Sequence, residues 1–222
     1  MRRRLILLRH GQTHYNAGRR MQGQLDTELS EVGVEQARAA AQLMKNLGVS
    51  KIVSSDLTRA RHTAEIIAAS LGLELTHDAR LRETHLGQWQ GKTHAEVDSE
   101  RGRIRAHWRN NAAWAPPAGE SRLDVAKRAR PVVDELMSTY SEWDASAVLL
   151  VAHGGTISAL TSNLLGLRES QYPLFNSLKN TNTSRLSAEP AYREGEAMPA
   201  EFPTEPSAVK WYLDAWNQGF SD

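Results

Sequence analysis

The chain has 222 residues, of which 40% are hydrophobic and 24% are charged, and its formal net charge at pH 7 is +1. This composition can supply an ordinary buried core. The near-neutral charge gives no support for a nucleic-acid-binding protein, which would carry a strongly basic face. The absence of cysteine excludes disulfides, thiolate metal ligands and a cysteine nucleophile. We therefore expect one α/β domain over residues 1–222.

The first apolar run, Leu5–Leu8, follows three consecutive arginines. Four residues are too few for the apolar region of a signal peptide, which needs roughly 7–15, or for a membrane span, which needs about 20. The run instead predicts a buried central strand. We expect a cytoplasmic protein with no membrane partner.

Strand and helix signals alternate up to Gly72, which predicts a parallel sheet. In chain order, the predicted elements are a strand at Leu5–Leu8, a helix that is capped by Ser30 and stops at Gly48, a strand that ends near Ser54, and a helix over 57–71 that is capped by Ser55 or Asp56 and stopped by Gly72.

The pattern is less regular over residues 74–120 and returns to helices and strands afterwards. The predicted elements are an edge strand within 73–81, a loop over 80–92, a helix at His94–Arg109, a loop over 110–121, a helix at Ser121–Tyr140 that contains Pro131, a strand at Ala147–Ala152, a helix at Thr156–Leu165, and strands at Ser184–Ala188 and Ala208–Leu213 separated by a surface loop at Glu189–Glu205.

Functional side chains follow three of the predicted strands. The first strand leads into "RHG", the second into "SSD" with Arg59 just beyond, and the strand "AVLLVA" into "HGG". Ligands bind beyond the carboxyl ends of strands in open α/β sheets. If the strands are neighbours, two imidazoles and two guanidiniums share one crevice, and guanidinium forks suit phosphate oxygens. Each motif alone is weak, since "SSD" is also a helix cap and "HGG" a turn signal.

Together these motifs resemble the histidine phosphatase superfamily, which is also called phosphoglycerate mutase-like. The similarity is carried by "LRHGQTHYN", "MQGQLDTELSEVGVEQA", "VSSDLTRARHTAE", "LRETHLGQWQG", "GES" and "VAHGG", in this order from about residue 4 to 165. The resemblance implies a three-layer α/β/α fold with a mostly parallel sheet of about six strands. It also implies that residues 74–120 form an irregular region over the active site.

The resemblance implies the role of each site residue. His10 would be the nucleophile that becomes phosphohistidine, and Glu83 would be the proton donor. The remaining implied site residues are Arg9, Arg59 and His153 on the phosphoryl oxygens, and Asn16, Gln22, Gly23, His85 and Gly154 on the substrate. Neutral imidazole is a good nucleophile near pH 7, and cations favour the charge on a transferring phosphoryl group. We expect no metal and no cofactor, since no carboxylate cluster would hold a metal ion.

The residues leave several points open. The short "ETHLGQWQG" segment favours a phosphatase, while a broad-specificity phosphatase, a cofactor-dependent phosphoglycerate mutase and a non-catalytic phospho-ligand binding module remain alternatives. The expected partner is a small phosphorylated molecule, and a homodimer is possible. Either Asn180 or Asn182 takes a family position after the second histidine's helix. The side chains expected to discriminate between substrates are His85, Trp89, Trp114, Trp211 and Leu213, and Trp108 lies in the same irregular region.

Overall fold

A computed structural model describes residues 1–100, 102–143, 146–195 and 197–219. Its strands are β1 Arg3–Arg9, β2 Val49–Ser54, β3 Leu75–His77, β4 Ala147–Ala152, β5 Thr183–Pro190 and β6 Val209–Gln218. Its α-helices are α1 His14–Ala17, α2 Glu31–Leu47, α3 Thr58–Leu71, α4 His94–Glu100, α5 Ile104–Asn110, α6 Arg122–Thr139 and α7 Gly154–Leu164.

The six strands form one sheet in the order β3-β2-β4-β1-β5-β6. The first four strands in this order are parallel, β5 pairs antiparallel with β1, and β6 pairs antiparallel with β5 at the edge of the sheet. The predicted mostly parallel, six-stranded α/β sheet is therefore confirmed. Within the described residues, none of the helices is long and apolar enough to cross a bilayer.

Both faces of the sheet are covered, because side chains alternate along each strand. On β1, Leu5 and Leu7 pack with α6 and α7, while Ile6 and Leu8 pack with α2 and α3. The three-layer α/β/α arrangement is thus confirmed. All six residues of β4 are buried, as a continuous apolar run predicts for a central parallel strand.

The predicted N-cap of α2 is confirmed, and α6 has a cap that the sequence analysis did not identify. The Ser30 side chain accepts a hydrogen bond from Gly33 N at the start of α2, and α2 ends at Gly48 in the left-handed conformation. Ser121 forms a capping box with Asp124 on α6, which continues through Pro131. In each case the sequence motif is local, so the cap needs no distant partner.

The predicted cap of α3 is wrong. Its N-cap is Leu57, which has no side-chain hydrogen bond, rather than Ser55 or Asp56. The exposed N–H of Thr58 instead donates to Asp26 at 2.7 Å, and the Thr58 hydroxyl donates to the same carboxylate at 2.9 Å. A residue 32 positions away therefore supplies the missing acceptor.

Other boundaries also differ from the predictions. The expected helix at His94–Arg109 is two helices, because Gly102 (φ 30°) and Arg103 (φ 58°) adopt positive φ values that a right-handed helix cannot contain. Helix α7 starts at Gly154, two residues earlier than expected. Strand β5 extends to Pro190 into the predicted loop, and α1 lies where no helix was expected.

Candidate active site

The sheet brings the three strand-end motifs together. Arg9 pairs with Ala152 across β1 and β4, and Ser54 pairs with Val151 across β2 and β4. His10 and His153 therefore leave adjacent strands at the same edge of the sheet, and their ring centroids lie 5.1 Å apart. The predicted crevice exists because the first and last strands of the parallel set are direct neighbours.

The hydrogen bonds of His10 define its tautomer. Nδ1 lies 2.6 Å from the carbonyl oxygen of Gly11, which can only accept, so Nδ1 carries the hydrogen. Nε2 accepts a hydrogen bond from Arg59 Nε at 3.3 Å. Burial, followed by the charges of Arg59 and Arg9, holds the pKa of His10 well below its ordinary value. The ring is therefore neutral at pH 7, with a lone pair on Nε2.

The guanidinium of Arg59 is held on three sides. Its side chain is almost fully buried and donates to Gly23 O at 2.7 Å and to Leu25 O at 2.8 Å, besides His10. Burial lowers the pKa of Arg59 to about 10, with opposing contributions from Glu83 and Asp26. Arg59 therefore remains charged at pH 7 and faces the unprotonated nitrogen of His10.

Two buried nitrogens beside His10 have no hydrogen-bond partner. These are Arg9 Nε and His153 Nδ1, while His153 Nε2 lies 2.9 Å from the hydroxyl of Ser55. Burial lowers the pKa of Arg9, although Glu83 opposes the shift. Burial, followed by Arg59, also lowers the pKa of His153 well below its ordinary value. Unpartnered buried polar atoms are costly, so their presence together indicates a place for a polar ligand.

Glu83 meets the N-terminus of α7. Its carboxylate accepts hydrogen bonds from the backbone N–H groups of Thr84 at 2.8 Å, Gly155 at 3.1 Å and Thr156 at 3.1 Å. Gly155 is required for this approach, because a Cβ there would lie 2.5 Å from Glu83 Oε1. The helix terminus thus fixes the carboxylate beside the arginines, as helix N-termini do with anions.

The predicted substrate-contacting residues fall into two groups. Asn16, Gln22, Gly23 and Gly154 line the same cavity as His10. His85 does not: it lies outside the lining, and its Nδ1 accepts a hydrogen bond from Gly87 N at 3.2 Å. Because residues 82–86 form no regular strand, the two-residue spacing does not place His85 on the same side as Glu83.

The choice between the two tail asparagines is decided by their contacts. Asn180 Nδ2 donates to His10 O at 2.9 Å and to Asn16 Oδ1 at 3.3 Å. Asn182 is buried and turns toward β6, where its Nδ2 donates to Asn217 O at 2.7 Å. Asn180 is therefore the residue that contacts the loop carrying His10 and Asn16.

A cavity of about 530 Å³ opens above His10 and Arg59. Sequence reasoning missed most of its outer wall, which consists of Arg20, Met21, His94, Arg105, Trp108, Arg109, Asn110, Arg122, Ser158, Pro173, Phe175, Asn176, Ser177 and Leu178. Of the tryptophans considered, only Trp108 lines the cavity. Trp89 and Trp211 are buried in apolar clusters, Trp114 packs against Trp89, and Leu213 lies on the edge strand β6.

The outer wall is strongly basic. Arg105 pairs with Asp98, whereas Arg109 and Arg122 make no ion pair with a carboxylate among the residues that the structure describes. Burial, followed by the charge of Arg109, lowers the pKa of Arg122, with an opposing effect of Glu83. The Arg122 guanidinium also lies 5.5 Å from the centroid of the Trp108 ring. The cavity therefore suits a ligand with two separated anionic groups.

Among the described residues, no group of three or more histidine or acidic side chains could hold a metal ion. The positive charge of the cavity comes from arginines instead. Arg9 and Arg59 flank His10, and Arg109 and Arg122 lie on the outer wall. Such fixed cations can stabilise a phosphoryl group directly.

The chain belongs to the histidine phosphatase superfamily, branch 1, whose profile it matches over residues 5–198. The glucosyl-3-phosphoglycerate phosphatase of Mycolicibacterium vanbaalenii is 48% identical over 219 residues, which cover 97% of this chain and 94% of the relative. A solved structure of the mycobacterial glucosyl-3-phosphoglycerate phosphatase complexed with VO3 is 47% identical, with a TM-score of 0.88 over 97% of this chain and 98% of that chain. A Yersinia pestis protein named "Probable phosphoglycerate mutase" is 38% identical over 164 residues, 73% of this chain and 75% of its own.

Proposed function

We propose that the protein is a metal-independent phosphomonoesterase that acts through a phosphohistidine at His10, and that its substrate is glucosyl-3-phosphoglycerate. The observation that carries the mechanism is the unprotonated Nε2 of His10: the bond to Gly11 O places the ring hydrogen on Nδ1, and Nε2 accepts a hydrogen bond from Arg59. Neutral imidazole with one nitrogen committed to an acceptor is a competent nucleophile.

In the first step, His10 Nε2 attacks phosphorus and the bond between phosphorus and the substrate oxygen breaks. Glu83 enters this step in its protonated form and gives its proton to the leaving alkoxide, since an unprotonated alkoxide leaves poorly. Arg9, Arg59 and His153 hold the phosphoryl oxygens: Arg9 Nε supplies an unused donor, and His153 Nδ1 supplies another in the tautomer whose Nε2 accepts from the Ser55 hydroxyl.

In the second step, water attacks phosphorus, the P–N bond breaks, and Glu83 accepts the proton of the water. Inorganic phosphate then leaves, and His10 regains its lone pair. Asn16, Gln22, Gly23 and Gly154 complete the phosphate pocket, with Asn16 fixed by Thr13 and Asn180. These groups act by position, because phosphoryl transfer depends chiefly on orientation and charge.

The outer wall supports the substrate choice. Beyond its phosphate, glucosyl-3-phosphoglycerate carries a carboxylate and a sugar. Arg109 and Arg122 offer cations for the carboxylate, and the Trp108 ring offers a surface for the sugar. The high identity to enzymes named for this substrate supports the same choice.

The chemical step is tested by acid-quenching a reaction with labelled substrate. Wild-type protein should carry acid-labile phosphate on His10, and His10→Ala should have no turnover, because no other side chain is placed for in-line attack. Near-normal turnover by the alanine variant would refute the covalent mechanism. His62→Ala, on the outer side of α3, is the matched control and should keep full activity.

The substrate is tested by comparing kcat/KM for glucosyl-3-phosphoglycerate and 3-phosphoglycerate. We expect glucosyl-3-phosphoglycerate to be preferred at least about tenfold, which is equivalent to roughly 1.4 kcal/mol. The smaller substrate leaves polar groups of the outer wall without a partner, and this lowers its transition-state binding. A flat profile across phosphate monoesters would favour the broad-specificity phosphatase. Rapid interconversion of 3- and 2-phosphoglycerate would favour the mutase.

We also propose that residues 1–222 act as one domain, in the cytoplasm, and that a homodimer forms. Strand β6 supports the dimer, since it is the edge of the sheet and exposes Tyr212 and Leu213. Light scattering at micromolar concentration gives the mass, and a monomer would contradict the dimer without affecting the proposed chemistry.

A further inference from the structure

The proposed proton donor, Glu83, lies in a segment without regular structure. Residues 82–86 connect the short 3₁₀ turns Ala79–Leu81 and Gly87–Trp89 and belong to neither a helix nor a strand. A loop backbone is not held by a ladder of its own hydrogen bonds, so contacts from other elements must fix it.

We propose that Arg128 and Glu120 are positioning residues that hold this segment so that the carboxyl group of Glu83 stays aligned with the leaving oxygen. The inference rests on the proposed function of Glu83 as proton donor. Neither residue lines the cavity, so both act through the backbone around Glu83.

Arg128 reaches the segment from α6. Its Nη1 donates to Arg80 O at 2.6 Å and to Arg82 O at 3.1 Å, and its Nη2 approaches Glu83 O at 3.4 Å. Nε and Nη2 each donate to the carboxylate of Glu120 at 2.9 Å. All five N–H donors of the guanidinium therefore have an acceptor.

Glu120 binds the backbone of His85, which follows Glu83 in the chain. Its Oε2 accepts the N–H of His85 at 2.8 Å, and its own N–H donates to His85 O at 2.8 Å. Burial alone would raise the pKa of Glu120, but the bonds from Arg128 and His85 lower it overall, so Glu120 is ionised at pH 7. The pair thus binds backbone groups of Arg80, Arg82 and Glu83 on one side and of His85, two residues after Glu83, on the other.

The arrangement requires the shape of arginine as well as its charge. A lysine at position 128 would keep the charge but has three donors on one nitrogen, which cannot reach three carbonyls and a bidentate carboxylate together. Helix α6 itself is held by buried Val125, Ala126 and Ala129. Arg128→Lys should therefore loosen the Glu83 segment while leaving the helix in place.

The test uses the dependence of the rate on the leaving group. Glucosyl-3-phosphoglycerate has an alkoxide leaving group that needs a proton, whereas p-nitrophenyl phosphate needs little protonation. For Arg128→Lys, we expect the loss in kcat/KM to be at least about tenfold larger with the alkyl phosphate than with the aryl phosphate. Glu120→Gln should show the same asymmetry, and it serves as the second variant if Arg128→Lys does not fold.

Glu135→Gln is the matched control. Glu135 pairs with the side chain of Arg80, next to the same segment, but touches none of the backbone groups that Arg128 binds. It should keep wild-type rates with both substrates. Equal losses with both substrates in Arg128→Lys and Glu120→Gln, or no loss, would overturn the inference. Glu83→Gln, measured with the same two substrates, separates the two proposals. A larger loss with the alkyl phosphate in Glu83→Gln, but not in Arg128→Lys and Glu120→Gln, refutes the positioning role alone. Equal losses with both substrates in Glu83→Gln refute the proton-donor role and the inference with it.

Discussion

Gly155→Ala tests the placement of Glu83 by a single methyl group. A Cβ at Gly155 would lie 2.5 Å from Glu83 Oε1 and 2.7 Å from Thr84 Oγ1, whereas ordinary contact begins at 3.4 Å. The carboxylate must therefore retreat by about 0.9 Å. A displacement of about 1 Å at a reacting group costs on the order of 10²-fold in rate, so we expect a loss of about 100-fold in kcat/KM with glucosyl-3-phosphoglycerate.

The assay compares the two leaving groups and the stability of each variant. With p-nitrophenyl phosphate the loss in kcat/KM should be clearly smaller, because its leaving group needs little protonation by the shifted Glu83. Gly154→Ala is the control for an alanine in the same helical turn. Its Cβ would lie an ordinary 3.5 Å from Arg9, so it should keep the wild-type ratio between the two substrates. A Gly155→Ala enzyme within about threefold of wild type on both substrates would refute the requirement for this placement.

Two further predictions concern pH and metal ions. Stability should fall by up to about 2.7 kcal/mol per pH unit as the pH drops below about 6.5, because the pKa values of His10 and His153 are lowered, first by burial and then by neighbouring arginines. At low pH the unfolded chain binds a proton on each of these histidines and the folded chain does not, so protonation favours unfolding. Urea titrations at pH 7 and 5.5 measure this loss of stability, and His153→Asn should remove about half of the loss. Equal stability at both pH values would contradict the prediction. Activity should survive EDTA, because Arg9, Arg59 and His153 supply the positive charge, whereas loss on chelation with recovery on adding a divalent cation would overturn the metal-independent mechanism.

Local signals explain where prediction from the sequence succeeded. The strand Ala147–Ala152 was predicted with its correct bounds, because a fully buried strand is a continuous apolar run that ends where polar residues begin. The cap Ser30 was recognised because it directly precedes the helical apolar pattern of α2. The placement of Arg9, His10 and His153 in one crevice follows from the same logic, since strand ends of a parallel sheet share one edge.

Features that depend on contacts between residues far apart in the sequence were decided only by the tertiary structure. Asp26 completes the start of α3 from another loop, and the break at Gly102–Arg103 replaced the expected continuous helix. His85, predicted for the site, lies outside it, while Trp108 and Arg122 line it. In the sequence these last two look like a core aromatic and a solvated charge, because a residue's own neighbours do not show which cavity its helix borders.

The same distinction separates the chemistry from the specificity of this protein. The positions of Arg9, His10 and His153 were readable from the sequence because each lies at the end of a strand, and the hydrophobic pattern of a strand is local, whereas Glu83 was assigned through the family resemblance. The outer wall and the Arg128–Glu120 pair were not, because they combine residues from the irregular region, α5 and α6 whose alignment depends on packing. Hydrophobic periodicity thus determined the sheet and its catalytic edge, whereas the long-range packing of helices determined the position of Glu83 and the shape and charge of the cavity above His10.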